Sequence, residues 1–177
     1  NTVADDLWDT LSPYADFDVK EFMTPWLVQS GYPVITDGEQ ERFLLTGEKS
    51  DEKYPIGDIR DDLTGDYLIN LSDDELKAKL KNLKKLSKEQ KLRLLIDRRL
   101  LAKTDRVASV SLLPLVESFK DETDPVVWEL VSAIIADLKV FFTPESAEEL
   151  KFKQFVRELA LANYRRLGIE RKIGDIS

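Results

Sequence analysis

The sequence predicts a mainly α-helical protein with a small β segment near its N-terminus. Three observations carry that expectation. From Ser72 onward the helix starts are marked by capping residues at regular intervals. Two of the helices so marked are strongly apolar, one as a single stripe and one on two sides. Between residues 32 and 71 the helical period disappears, and short apolar runs are punctuated by Asp37-Gly38 and Leu63-Thr64-Gly65. The division that follows is a helical segment over 1–31, a small β domain over 32–71 and an α-helical domain over 72–177.

The elements can be justified in order. Val3, Leu7, Trp8 and Leu11 space a helix over 3–12 that Pro13 stops. Asp16 or Asp18 can cap a second helix, Val19 to Gln29, with Phe22, Met23, Trp26 and Leu27 on its apolar side. Pro25 inside it predicts a kink near Met23, and Gly31 is placed as its stop. Residues 33–36 read as a strand entering an Asp37-Gly38 turn. Further strands are expected at 42–45, 54–56 and 66–71, with a polar loop over 48–53. Four short strands fit a small, acidic β region.

Ser72-Asp-Asp-Glu75 and Ser87-Lys-Glu-Gln90 have the form of capping boxes. Asp124-Pro125 and Thr143-Pro144 each set a capping side chain before a proline at the first helical position. With Asp105 as a further cap, helices are expected near 73–83, 88–102, 106–119, 125–142 and 145–167, the last closed by Gly168. Val127, Leu130, Val131, Ile134, Ile135, Leu138, Phe141 and Phe142 form one stripe, facing one neighbour. Leu92, Leu94, Leu95, Ile96, Leu100 and Leu101 cover more than one face, so that helix is expected to be buried on two sides. Stacked antiparallel helix pairs bury their inner helices in this way, and the starts at Ser87 and Asp124 are spaced as in HEAT- or armadillo-like arrays.

Composition excludes several chemistries. The 177 residues contain no Cys and no His. A thiolate zinc site, a cysteine nucleophile, a Ser-His-Asp triad and an H-E-x-x-H zinc helix are therefore impossible within this sequence. No run of 18 apolar residues occurs, and the start, Asn1-Thr-Val-Ala-Asp-Asp, lacks the form of a signal peptide. A chain starting at Asn1 without Met is expected to be processed or cut from something longer. The net charge of −8 is uneven: residues 1–75 carry 19 Asp+Glu against 5 Lys+Arg, and residues 76–177 carry 15 against 21. That reversal suggests at least two structural units.

Five candidate sites can be weighed. Residues 76–106 hold 12 Lys+Arg against Glu89, Asp97 and Asp105, and Lys77, Lys81, Lys84, Lys88 and Lys91 could track a phosphate backbone. No aromatics interleave them, so a solvated helix face is the simpler account. Adjacent carboxylates occur at Asp5-Asp6, Asp61-Asp62, Asp73-Asp74 and Glu148-Glu149, but neighbours on a helix diverge and do not form an acid/base pair. Neither a G-x-x-x-x-G-K-[ST] nor a G-x-G-x-x-G phosphate loop is present. Asp58-Ile-Arg-Asp61-Asp62 lacks calcium-loop spacing. Asp97 beside Arg98 and Arg99, in the helix expected to be the most buried, reads as a buried ion pair. No catalytic residue, metal ligand or substrate-binding residue is assigned.

Read in order, the segments resemble a known family. Leu7-Trp8-Asp9-Thr10-Leu11, Asp18-Val19-Lys20-Glu21-Phe22-Met23, Pro25-Trp26-Leu27 and Gly31-Tyr32-Pro33-Val34 look like the end of the catalytic domain in the aminopeptidase N family of zinc metallopeptidases. Glu41-Arg42-Phe43, Tyr54-Pro55-Ile56 and Gly65-Asp66-Tyr67-Leu68-Ile69-Asn70 resemble strands of its β domain. Ser87 to Lys91, Leu94 to Asp97, Leu101-Ala102, Leu112, Leu115, Phe119, Val127-Trp128 and Tyr164-x-x-Leu167-Gly168 are similar to the opening of its helical C-terminal domain.

The resemblance implies a piece of a longer enzyme that removes N-terminal amino acids from peptides. The zinc on H-E-x-x-H and the G-x-M-E-N amine-binding loop would lie upstream, so no catalytic role falls on a residue of this chain. Its job would be that of a lid and scaffold over the active site, in a cytoplasmic protein. Its partners would be peptide substrate through the parent enzyme, and the missing catalytic domain or a second copy; nucleic acid and membrane are not expected. The family's β domain is a sandwich of many strands, so the resemblance implies a short, sandwich-like β region here, and deletions are sought at Thr36-Asp37, Gly47-Glu48-Lys49 and Ile56-Gly57-Asp58. The alternative is a stand-alone helical-repeat module that binds a protein or peptide.

Overall fold

In the computed structural model the chain divides into two units, Asn1–Ser72 and Asp73–Ser177. The structure describes residues 4–28, 31–43, 49–50, 53–56 and 65–167. The protein is mainly α-helical with a small sheet.

The first unit opens with α1 (Ala4–Leu11), a 3-10 turn at Ser12–Tyr14 and α2 (Val19–Val28). Trp8 is buried and anchors α1, while Leu7 and Leu11 remain largely exposed. The Asp18 carboxylate accepts the Glu21 N–H at 2.9 Å, which makes Asp18 the cap of α2. Pro25 does not divide α2: the helix runs through it as one element. Its ring falls seven residues into a ten-residue helix, so only one backbone donor is lost, late in the helix.

The strands are β1 (Tyr32–Thr36), β2 (Glu39–Phe43), β3 (Lys49–Ser50) and β4 (Leu68–Ile69). They form one four-stranded sheet in the order β3-β2-β1-β4, so the second layer of a sandwich is absent among the described residues. β1 and β2 are antiparallel, with Val34 opposite Glu41. They are joined through Asp37 and Gly38, both at positive φ (51° and 78°), as a tight two-residue hairpin requires. The hairpin starts β2 at Glu39, ahead of the expected start at 42, and Arg42 and Phe43 are in it as expected; Leu44 and Leu45 lie outside the described residues. β4 pairs parallel to β1, Val34 beside Leu68. β3 falls in the stretch expected to be loop, where its two residues pair with Arg42 and Phe43.

Residues 54–56 are not a strand. The Gln40 side chain takes the place of a neighbouring backbone. Its Oε1 accepts the Tyr54 N–H at 2.6 Å, and its Nε2 donates to the Tyr54 carbonyl at 2.9 Å. Both Tyr54 backbone groups are thereby satisfied without a ladder. The Tyr54 ring is buried, tilted against Trp26 at 4.6 Å between centroids.

The second unit contains α3 (Asp73–Lys81), α4 (Lys88–Lys103), α5 (Leu112–Ser118), α6 (Pro125–Lys139) and α7 (Ala147–Leu167). A 3-10 turn at Leu83–Lys85 follows α3, which ends two residues short of the expected 83. α4 packs on both α5 and α6, and Leu92, Leu94, Leu95 and Leu101 are among its buried residues. Its start is the expected capping box: Gln90 N donates to Ser87 Oγ at 3.2 Å, and Ser87 N to Gln90 Oε1 at 3.0 Å. Asp124 caps α6 by accepting from Val126 and Val127 N–H, at 2.8 and 3.3 Å.

Three expected boundaries differ. Asp105 does not start a helix; it stands at φ 55°, and α5 begins only at Leu112 after a 3-10 turn at Ser109–Ser111. Pro114 explains the late start, since proline is tolerated in a first turn but not deeper. α6 stops at Lys139, leaving Val140 and Phe141 exposed, while Phe142 stacks on Phe152 of α7 at 4.5 Å. α7 is capped by Ser146 rather than Thr143: Glu149 N donates to Ser146 Oγ at 3.1 Å, and Glu149 Oε2 accepts from Glu145 N at 2.8 Å. Gly168 lies outside the described residues.

The core of this unit is formed by Leu95 and Leu101 of α4, Leu115 and Val116 of α5, Phe119, and Val127, Val131 and Ile134 of α6.

Candidate functional site

The basic stretch is mostly consumed by ion pairs. On α4, Lys88 pairs with Asp124 at 3.1 Å and Lys91 with Glu122 at 2.7 Å. Arg99 and Lys103 both reach Asp137 Oδ2, at 2.6 and 3.1 Å. These contacts tie α4 to α6 and to the loop before it. Of the five lysines that could track a phosphate backbone, Lys88 and Lys91 are therefore engaged within the fold. Lys77 lies 3.5 Å from Asp74, and Lys81 and Lys84 are exposed.

The carboxylates respond to these partners. Burial pushes Glu122 up, but the Lys91 ammonium and the Asp124 and Thr123 N–H groups outweigh it and hold the carboxyl below its ordinary value. The Arg99 guanidinium lowers Asp137; burial opposes it and Lys103 reinforces it. Glu149 is lowered first by Lys153, 2.9 Å away, and then by the Glu145 N–H. Each shift stabilises an ionised group in a structural contact. A catalytic acid would need the opposite direction.

Asp97 does form a buried ion pair. Its partner is Arg93, one turn earlier, at 3.6 Å, with both side chains buried. Arg98 instead reaches Asp73 at 3.2 Å. The i, i+4 spacing of Arg93 and Asp97 was the available sequence signal. Asp73 and Asp74 occupy the first turn of α3, where the helix dipole favours them. Asp61 and Asp62 lie outside the described residues. Among the described residues, no three His, Cys, Asp or Glu side chains converge in a way that could hold a metal ion. No helix among them is long and apolar enough to cross a membrane.

An apolar groove of about 870 Å³ lies between α6 and α7. Trp128, Ile135, Val156, Ala160 and Tyr164 line it, with Glu129 and Arg166 at its rim. The Trp128 indole is fixed by donating to the Glu122 carbonyl at 2.6 Å, a contact the sequence did not announce. Among the described residues the lining of the groove is mainly apolar.

Comparison with known proteins agrees with this picture. Over residues 61–176 the chain matches the ERAP1-like C-terminal domain. It is 27% identical over 218 aligned positions to aminopeptidase N of Lactococcus lactis subsp. cremoris (strain MG1363), covering 99% of this chain and 26% of that protein. Aminopeptidase N of Lactobacillus helveticus is 28% identical over 220 positions, with the same coverage. Aminopeptidase M1-C of Oryza sativa subsp. japonica is 27% identical over 230 positions, covering 99% of this chain and 26% of its own length. The chain thus spans about a quarter of the length of the curated relatives it matches. An alignment of 218 positions against 177 residues leaves at least 41 positions as gaps in this chain, so the Lactococcus protein carries extra segments within the same span. Matched over well more than half its length, the chain belongs to the ERAP1-like C-terminal domain family and aligns with aminopeptidases N almost from end to end.

Proposed function

We propose that this chain is the non-catalytic C-terminal part of a zinc-dependent aminopeptidase that removes N-terminal amino acids from peptides, and that it serves as lid and scaffold over an active site formed elsewhere in the protein. The observation that carries this reading is the alignment of 99% of the chain with about a quarter of aminopeptidase N. Residues 1–31 would then close the catalytic domain, 32–71 form the β domain and 72–177 open the helical domain. The protein would be cytoplasmic. Zinc does not fit this chain: its usual nitrogen and sulfur ligands are missing from the sequence, and no carboxylate cluster replaces them among the described residues. On this reading, metal binding and hydrolysis would belong to residues outside it.

The test is an assay of the 177-residue chain on an aminoacyl chromogenic substrate with added zinc. No turnover is expected. Chelator-sensitive turnover would overturn the assignment of a non-catalytic part. A second reading is favoured by the α6–α7 groove: a stand-alone helical module that binds a protein or peptide. An open reading frame carrying a zinc-binding helix before Asn1 supports the first reading; a native start codon at this point supports the second.

A further inference from the structure

We propose that the N-terminal unit carries a docking surface for a basic peptide, built from two adjacent aromatic recesses with carboxylates at their rims. The first, about 290 Å³, is walled by Phe22, Trp26 and Tyr67 with Asp66 beside them. The second, about 510 Å³, is walled by Phe17, Phe22 and Tyr54 with Asp18 and Glu21 beside them. Phe22 and Pro55 line both and form the ridge between them. Phe17 and Phe22 lie 5.1 Å apart between ring centroids, tilted at 50°. Gly65 is required on the first recess, because a Cβ there would collide with the Tyr67 ring.

Charge selects the occupant. Asp18, Glu21 and Asp66 are exposed, and neither Glu21 nor Asp66 has an ion-pair partner among the described residues. Among the described residues, Lys53 is the one cation lining either recess. A purely apolar ligand would leave the Glu21 and Asp66 carboxylates unused. A guanidinium or ammonium uses both features: it lies against aromatic faces, attracted by the ring quadrupole, while pairing with a carboxylate at the rim. Arginine suits the site better than lysine because its planar head stacks and is less strongly hydrated. In an extended peptide the side chains at i and i+2 share a face about 7 Å apart. Two such side chains can straddle the single Phe22–Pro55 ridge, one in each recess. The pairs are exposed, so binding is weak and salt-sensitive.

The experiment titrates the full chain with a capped Arg-Gly-Arg peptide at low salt, following the Trp26 indole N–H resonance by heteronuclear NMR. That N–H makes no hydrogen bond among the described residues, and its side chain lines the first recess. A saturable shift is expected, weakened about tenfold by the double substitution Glu21→Lys and Asp66→Lys. The same peptide with citrulline in place of arginine, isosteric but uncharged, is expected to cause no saturable shift. Absence of a shift with the arginine peptide, equal binding of the citrulline peptide, or unchanged affinity in a folded double variant would each overturn the proposal. Should the double variant lose its far-UV dichroism, the arginine–citrulline comparison on the unaltered chain decides alone. The outcome is independent of whether the chain belongs to an aminopeptidase.

Discussion

Phe119, Leu95, Leu101, Leu115 and Ile134 of the C-terminal unit are buried without residue, drawn from three helices and the turn after α5. Among the described residues of the N-terminal unit the corresponding side chains are Pro33 and Val34, neighbours on one strand. The C-terminal unit is held by apolar packing between helices, with ion pairs around its edge. The N-terminal unit relies on specific polar contacts, such as the Gln40 clamp on Tyr54, and on aromatic pairs beside a four-stranded sheet. It is also the unit that lies mostly outside the span matched by the C-terminal domain family. A dense core tolerates loss at its rim, whereas a sparse one concentrates its stability in a few contacts.

The largest effect that sharpens this contrast is expected from Phe119→Ala. Removing a fully buried aromatic ring from a packed helical core costs about 3–5 kcal/mol. Urea unfolding followed by Trp128 fluorescence, in a background lacking Trp8 and Trp26, reads the C-terminal unit. A cost under about 1 kcal/mol would break the claim that this core is close-packed. Next comes Gln40→Ala in the N-terminal unit. It strips partners from both backbone groups of buried Tyr54, at about 1–3 kcal/mol for each group left unsatisfied. Trp26, tilted against Tyr54, reports this loss in a Trp128→Phe background. Gln40→Glu keeps the acceptor for the Tyr54 N–H but not the donor, and is expected to fall between the two.

The same contrast explains what could be read from the sequence. Helices α4 and α6 announce themselves through local signals: Ser87 with Gln90, Asp124 before Pro125, and stripes of period 3.6. Each signal is read within a few residues. The Gln40–Tyr54 clamp joins positions 14 apart by side chain and backbone, and no pattern in either segment encodes it. Local propensity therefore suggested a strand at 54–56, where tertiary contact made none. β1 and β4 are likewise brought together across more than thirty residues. At the C-terminal site, the positive charges were legible but their partners were not. Arg99 and Lys103 converge on Asp137 only because α4 and α6 pack side by side. The i, i+4 pair Arg93–Asp97 and the Ser146-x-x-Glu149 box were local and could have been read.

A smaller effect tests whether the local signals carry energy or merely mark position. Ser87→Ala removes one half of the α4 capping box while leaving the core of that helix in place. The expected cost is about 1 kcal/mol. A Ser87→Thr control is expected to recover most of it. An alanine variant as stable as the parent would show that the α4–α6 packing alone fixes the helix start.

The smallest expected effect is on pH, and it separates the units by the sign of their edges. Glu122 and Asp137 have folded values held below their ordinary ones of 4.5 and 3.8. A carboxyl lowered by folding contributes stability that is fully present above its unfolded value. That contribution is lost as pH falls through the lowered folded value. The C-terminal unit is therefore expected to keep a constant urea midpoint from about pH 7 down to about pH 5 and to weaken below about pH 4.5. Asp137→Asn cannot ionise, so it lowers the midpoint at neutral pH and flattens the decline in acid. The difference between parent and variant is expected to shrink as pH falls, because protonation removes from the parent what the substitution removed already. A difference that stays constant with pH would mean that Arg99 and Lys103 hold Asp137 by hydrogen bonding alone, with no net preference for its charge.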